Sequence, residues 1–114
     1  MLKIFKIPLC EFTQKVEPVK DTEVYSIHDF PMEHLTVSVT VLHPHKETRG
    51  HSHDGKEEVY IFFKGSGLMQ LEDDKFSVAE GDLIFIPSGY FHKVFNHSEK
   101  ELEFLCIFEQ YERE

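Results

Sequence analysis

The stretch Gly81-Asp82-Leu83-Ile84-Phe85-Ile86-Pro87-Ser88-Gly89-Tyr90-Phe91-His92-Lys93-Val94-Phe95-Asn96 sets two short apolar runs on either side of a Pro-Ser-Gly turn. Residues 82–86 and 91–95 are β-branched or aromatic, as short strands are. Pro87 presets its own φ and Gly89 tolerates a positive one, so the chain reverses between the runs. His92 then falls at the start of the second strand, in otherwise apolar company.

Outward from this stretch the pattern repeats. Residues 35–42, LTVSVTVL, alternate strictly. Leu35, Val37, Val39 and Val41 fall on one side, Thr36, Ser38 and Thr40 on the other, so this is a period-two strand whose polar face need not be wet. Further strand-like runs cover 57–63, 68–72, 75–79 and 102–108. Gly65-Ser66-Gly67, Asp73-Asp74, Glu80-Gly81 and Asn96-His97-Ser98 read as turns, with Asp73-Asp74 closing a hairpin. No segment carries a helical stripe of about 10 to 12 residues, and the nearest candidate, Cys10 to Glu17, runs into Pro18. The fold is therefore expected to be all-β, a sandwich or barrel that hides its strand edges.

A chain of 114 residues is long enough for one compact domain. An apolar fraction of 40%, with eleven Phe, supports a packed interior. The net charge of −9 excludes a surface that tracks nucleic-acid phosphates and disfavours docking on anionic lipid. Cys10 and Cys106 lack the close spacing of a zinc or redox motif and read as two reduced, partly buried thiols. Lys6 and Pro8 interrupt the first apolar residues before a secretory core can form, and no apolar run approaches the roughly 20 residues of a membrane span. A soluble, cytoplasmic protein is expected.

The polar stretch Gly50-His51-Ser52-His53-Asp54-Gly55-Lys56-Glu57-Glu58 carries the candidate chemistry. In an extended segment His51 and His53 leave the same face, about 6.5 to 7 Å apart at the backbone. Asp54 to Lys56 make a turn. Glu57 and Glu58 then face opposite ways, and periodicity alone does not choose between them. His92 is the candidate that would complete a site. His43 and His45 form a second His-x-His, but Pro44 intervenes and no partner follows; with His28, His34 and His97 they are expected at the surface.

Residues 81–96 fit G-x5-P-x-G-x2-H-x3-N at every fixed position, and this resembles the second signature motif of the cupin family. The first cupin motif, G-x5-H-x-H-x3,4-E-x6-G, is matched by His51, His53, Glu58 and Gly65; that spacing selects Glu58, because Glu57 would put Lys64 at the glycine position. The leading glycine position falls on His45 instead. The resemblance implies a double-stranded β-helix, or jelly-roll, barrel over about residues 35–108, with an N-terminal arm over about 1–24 in a single domain spanning 1–114. It also implies His51, His53, Glu58 and His92 as ligands of one divalent transition metal ion. Such a set leaves open positions that suit Fe, Mn, Ni or Co, with Zn or Cu as further options.

Around this set, Arg49 shares parity with His51 and His53. If the strand extends that far back, its guanidinium faces the barrel mouth and can hold a carboxylate or phosphate; otherwise it forms a surface ion pair. Tyr60 and Phe62 share parity with Glu58 and are expected beside the metal, with Tyr60 able to hydrogen-bond a ligand.

Thr48-Arg49-Gly50-His51-Ser52-His53 is similar to the T-x-G-H-x-H start of cupin sugar-phosphate isomerases. The resemblance implies a metal that holds adjacent sugar oxygens while a carboxylate or bound water moves a proton. A sugar or sugar-phosphate isomerase or epimerase is the leading expectation. An Fe(II) dioxygenase and a non-catalytic small-molecule binder or sensor are the alternatives. No catalytic residue is assigned. A homodimer is expected, with the N-terminal segment contributing, because a second copy would cover strand edges in so small a barrel.

Overall fold

The computed structural model describes residues 6–109. Among them the strands are β1 (Pro18–Asp21), β2 (Tyr25–Pro31), β3 (Leu35–Leu42), β4 (Glu58–Lys64), β5 (Ser66–Leu71), β6 (Asp74–Ala79), β7 (Leu83–Ile86), β8 (His92–Phe95) and β9 (Leu102–Glu109). They form a six-stranded sheet in the order β1-β2-β3-β9-β4-β7 and a three-stranded sheet in the order β6-β5-β8, antiparallel throughout. The two sheets close over a core that includes Leu42, Phe62, Met69, Leu102 and Phe104. This is the jelly-roll barrel that the motifs imply.

Gly65 shows why the chain can change sheets without a loop. It joins β4 to β5 at φ +86°, and a Cβ there would lie 2.6 Å from the Glu101 carbonyl oxygen. Only glycine fits that bend. Ser66 and Gly67, expected in a turn, already pair with Ala79 and Val78 in the smaller sheet. The hairpin between β5 and β6 also turns one residue earlier than expected. Leu71 pairs with Asp74, and Glu72 takes the positive φ of +53°.

From Ser38 to Leu42, strand β3 is buried on both faces. Thr36, Ser38 and Thr40 point into the barrel opposite Phe108, Cys106 and Phe104 of β9. Val39 and Val41 face outward and are covered by Phe12 and Val16. These come from the N-terminal segment, where a 3₁₀ turn (Leu9–Glu11) leads into α1 (Phe12–Lys15), a single turn in the region that pointed weakly to a helix. Residues 1–5 of the expected arm lie outside the described residues.

The histidines expected at the surface divide into two groups. His34, His45 and His97 are exposed. His28 is buried beside the arm, because its Nδ1 donates to the Val16 carbonyl at 2.6 Å and its Nε2 meets Ser26 Oγ at 3.0 Å. His43 is half-buried and paired with Glu101 at 2.8 Å. Of the thiols, Cys10 is exposed and Cys106 is buried.

Candidate metal centre

Backbone pairing brings His51 and His92 together. His51 N–H donates to the His92 carbonyl at 3.1 Å, and His92 N–H donates to the His51 carbonyl at 2.9 Å. Residues so opposed on antiparallel chains hold their side chains on one face, about 4.5 to 5.5 Å apart at Cβ. The ring centroids are accordingly 4.5 Å apart.

Glycine sets the angle at which His51 arrives. Gly50 has φ +83°, and a Cβ there would meet Phe91 Cζ at 2.6 Å.

Glu58 begins β4 between Ile86 of β7 and Phe108 of β9, and points inward with 4% of its surface exposed. Glu57 is exposed. Glu58 Oε2 lies 3.1 Å from Nε2 of His92, itself 2% exposed. His92 Nδ1 lies 3.1 Å from the Tyr90 carbonyl oxygen. A carbonyl can only accept, so Nδ1 carries a proton; Nε2, which faces Glu58, donates to the carboxylate when it is protonated too and offers its lone pair to a cation when it is not.

Ligand atoms of His51, Glu58 and His92 all lie within 4.8 Å of one another. Ions held by N and O donors sit about 2.0 to 2.2 Å from each, so small side-chain adjustments let one ion touch all three. Two imidazoles and a carboxylate are borderline-to-hard donors, and the trio suits a divalent metal. His53 stands beside this trio. Its ring centroid is 4.5 Å from that of His51 and 6.1 Å from that of His92.

Burial works to raise the pKa of Glu58, but the three rings outweigh it, His92 most strongly and then His53 and His51. The carboxyl is held below its ordinary value and is ionised at neutral pH. An ionised carboxylate is the form that binds a cation.

The two halves of the site are stitched together by their loops. Gly89 N–H donates to the His53 carbonyl at 3.0 Å, and Gly55 N–H donates to Ser88 Oγ at 2.7 Å. The Pro87-Ser88-Gly89 turn thus holds the loop that follows His53. The trio opens on a cavity of about 480 Å³, whose lining also includes Lys20, Thr48, Arg49, Tyr60 and Cys106. Tyr60 stacks on Phe104 at 5.1 Å and turns its ring edgewise to His92 at 5.7 Å.

Lys20 and Cys106 were not read from the sequence as site residues. Cys106 could have been found, since it shares parity with Phe104 and Phe108 along β9. Lys20 gave no signal, because it comes from β1, a strand that the pattern of apolar residues does not mark.

A small two-sheet barrel whose cavity gathers a His, Glu, His trio suited to a divalent metal defines a class of jelly-roll proteins. The family profile described as "Cupin domain" matches residues 38–108. The chain belongs to the cupin family.

Over 86% of its length the chain is 32% identical to glucose-6-phosphate isomerase of Pyrococcus furiosus, covering 59% of that protein. It is also 32% identical, over half of its length, to an oxalate-binding protein of Thermotoga maritima, of which it covers 47%. The chain spans about half the length of the curated relatives it matches, 45% to 59% among the nearer ones. Among solved structures, a predicted oxalate decarboxylase of Thermotoga maritima superposes with a TM-score of 0.77 at 19% identity, over 87% of this chain and 96% of that one. That likeness concerns the fold.

Proposed function

We propose that the protein is a mononuclear metal-dependent enzyme acting on a small anionic metabolite, a sugar-phosphate isomerase, with His53 joining His51, Glu58 and His92 as the fourth ligand. The observation that carries this reading is the composition of one cavity. In a chain of net charge −9, the space around the metal trio is lined by two cations, Lys20 and Arg49. A cavity that pairs a metal site with cationic side chains favours a ligand that is both chelating and anionic. The similarity to the Pyrococcus isomerase supports a phosphorylated sugar.

When bound, a divalent ion supplies Lewis acidity to adjacent sugar oxygens. Arg49 presents a planar fork of donors suited to a phosphate, and Lys20 adds a second positive charge. Tyr60, fixed by Phe104 and His92, offers its phenol to a sugar hydroxyl. The reading keeps a cytoplasmic location and a homodimer.

The test is solvent proton exchange. Metal-loaded protein with fructose 6-phosphate in D2O, without oxygen, is expected to place deuterium on the carbon next to the carbonyl. Absence of both exchange and conversion to glucose 6-phosphate with every divalent metal tried refutes a fructose 6-phosphate isomerase.

A second reading, a non-catalytic binder of a small dicarboxylate, is supported by the oxalate-binding relative. It predicts oxalate binding to the metal-loaded protein without turnover. Oxygen uptake with Fe(II) would instead support a dioxygenase.

A further inference from the structure

Cys106 is a nucleophile that the proposed reaction does not use. It is 4% exposed, yet it lines the metal cavity, whereas Cys10 is exposed on the N-terminal segment. The register explains the placement. Glu58 pairs with Phe108, so Cys106, two residues earlier on β9, enters the barrel one step along from the carboxylate. There it lies between Tyr60 of β4 and Ser38 of β3. It is not one of the metal trio.

Ser38, directly opposite, is fully buried, and its Oγ finds no hydrogen-bond partner among the described residues. Leaving a buried hydroxyl unpaired costs about 1 to 3 kcal/mol, and native proteins leave such groups where a bound molecule or a redox role engages them. As cross-strand partners turned to one face, Ser38 and Cys106 hold their Cβ atoms about 4.5 to 5.5 Å apart. The hydroxyl is therefore placed to donate to an oxygen added to the sulfur.

Charge and access favour the same event. Thiolate is the reacting form of cysteine, and nearby cations stabilise it. Lys20 and Arg49 bring two positive charges to the lining of this cavity. Glu58 and the flanking Phe104 and Phe108 act against them, so the thiol is expected to react more slowly than a solvated one. Access is not limiting: water takes about 30 Å³ per molecule, and a cavity of about 480 Å³ has room for an oxidant of two heavy atoms.

We propose that Cys106 is an oxidation site, at which hydrogen peroxide, a two-electron oxidant, converts the thiolate to a sulfenic acid inside the cavity. The sulfur attacks one peroxide oxygen, the O–O bond breaks as the S–O bond forms, and the other oxygen leaves as hydroxide. Sulfur loses two electrons and the peroxide gains them. The added oxygen takes the Ser38 hydrogen bond and fills space beside Tyr60, which closes the cavity to a ligand and leaves the metal trio intact. A thiol reductant reverses the change. The site depends on the cavity alone; only its effect on turnover rests on the isomerase reading.

Cys10→Ser leaves Cys106 as the one thiol of the chain. Thiol counting after rapid denaturation then follows it while the folded protein stands in hydrogen peroxide. The thiol is expected to disappear at a rate proportional to peroxide concentration and to return with dithiothreitol. Adding Ser38→Ala, with folding checked by circular dichroism, is expected to slow the loss by about tenfold, as removal of a hydrogen bond to a charged group does. Oxidised protein is expected to bind zinc with unchanged stoichiometry and to lose deuterium exchange into fructose 6-phosphate until it is reduced. A thiol that persists, or whose loss levels off at the rate of unfolding, overturns the site. An equal rate in folded Ser38→Ala overturns the part given to Ser38, and exchange that survives oxidation overturns the closing of the cavity. Reduced protein without exchange or conversion refutes the isomerase, and the thiol count still decides the site.

Discussion

Gly50 stands where two constraints meet: a positive φ that side chains rarely adopt, and the Phe91 ring against the position of its missing Cβ. Gly50→Ala must therefore shift the backbone next to His51. The substitution is expected to destabilise the fold by at least about 1 kcal/mol, as alanine does where φ is positive, and to weaken metal binding; chemical denaturation and metal titration read the two effects separately. Glu58 is a different case, since its ionisation is linked to folding. Its pKa is lowered in the folded chain from 4.5. The stability it contributes is then complete above that ordinary value and lost as pH falls through the lower folded value. In metal-free protein, Glu58→Gln is expected to flatten the fall of stability with acid relative to the wild type. An unchanged slope would show that the rings do not favour the carboxylate.

Asn96 acts between elements. It is fully buried. Its Nδ2 reaches the carbonyls of Leu42, His43 and Lys100 at 3.0, 3.2 and 2.8 Å, and its Oδ1 accepts from the Ser98 amide and hydroxyl. The final Asn of the second motif thus ties the end of β8 to the end of β3 and to the loop before β9. Asn96→Ala removes these five hydrogen bonds from a buried position and is expected to cost about 1 to 3 kcal/mol, read by urea denaturation, while metal stoichiometry is preserved. Strands with unbroken alternation were legible from the sequence, and β3 was located to the residue. Strands β1 and β2 were not, because β2 sets His28 outward against the arm and Asp29 inward, so no apolar stripe marks either face. The buried state of His28 depends on Val16, twelve positions earlier, a contact that no local pattern encodes.

At the scale of the whole molecule, the site is a product of closure. His51 and His92 are forty-one positions apart, and neither identifies a metal site by itself. Motif spacing could relate them because the spacing reflects geometry: the Pro87-Ser88-Gly89 turn holds the loop after His53, and β8 pairs with the segment through His51. The cationic lining was only partly legible. Arg49 lies beside the histidines, whereas Lys20 reaches the cavity through the register of an edge strand.

The central claim is that this cavity holds one divalent ion through His51, Glu58 and His92, and isothermal titration of metal-free protein with Mn, Fe, Co, Ni and Zn tests it most directly. The account predicts one ion per chain for at least one of these metals, with affinity reduced at least about tenfold in His92→Ala, as loss of a direct ligand should exceed the 10- to 100-fold effect of an outer-shell change. No saturable binding by any of these metals, or equal affinity in His92→Ala, would contradict it.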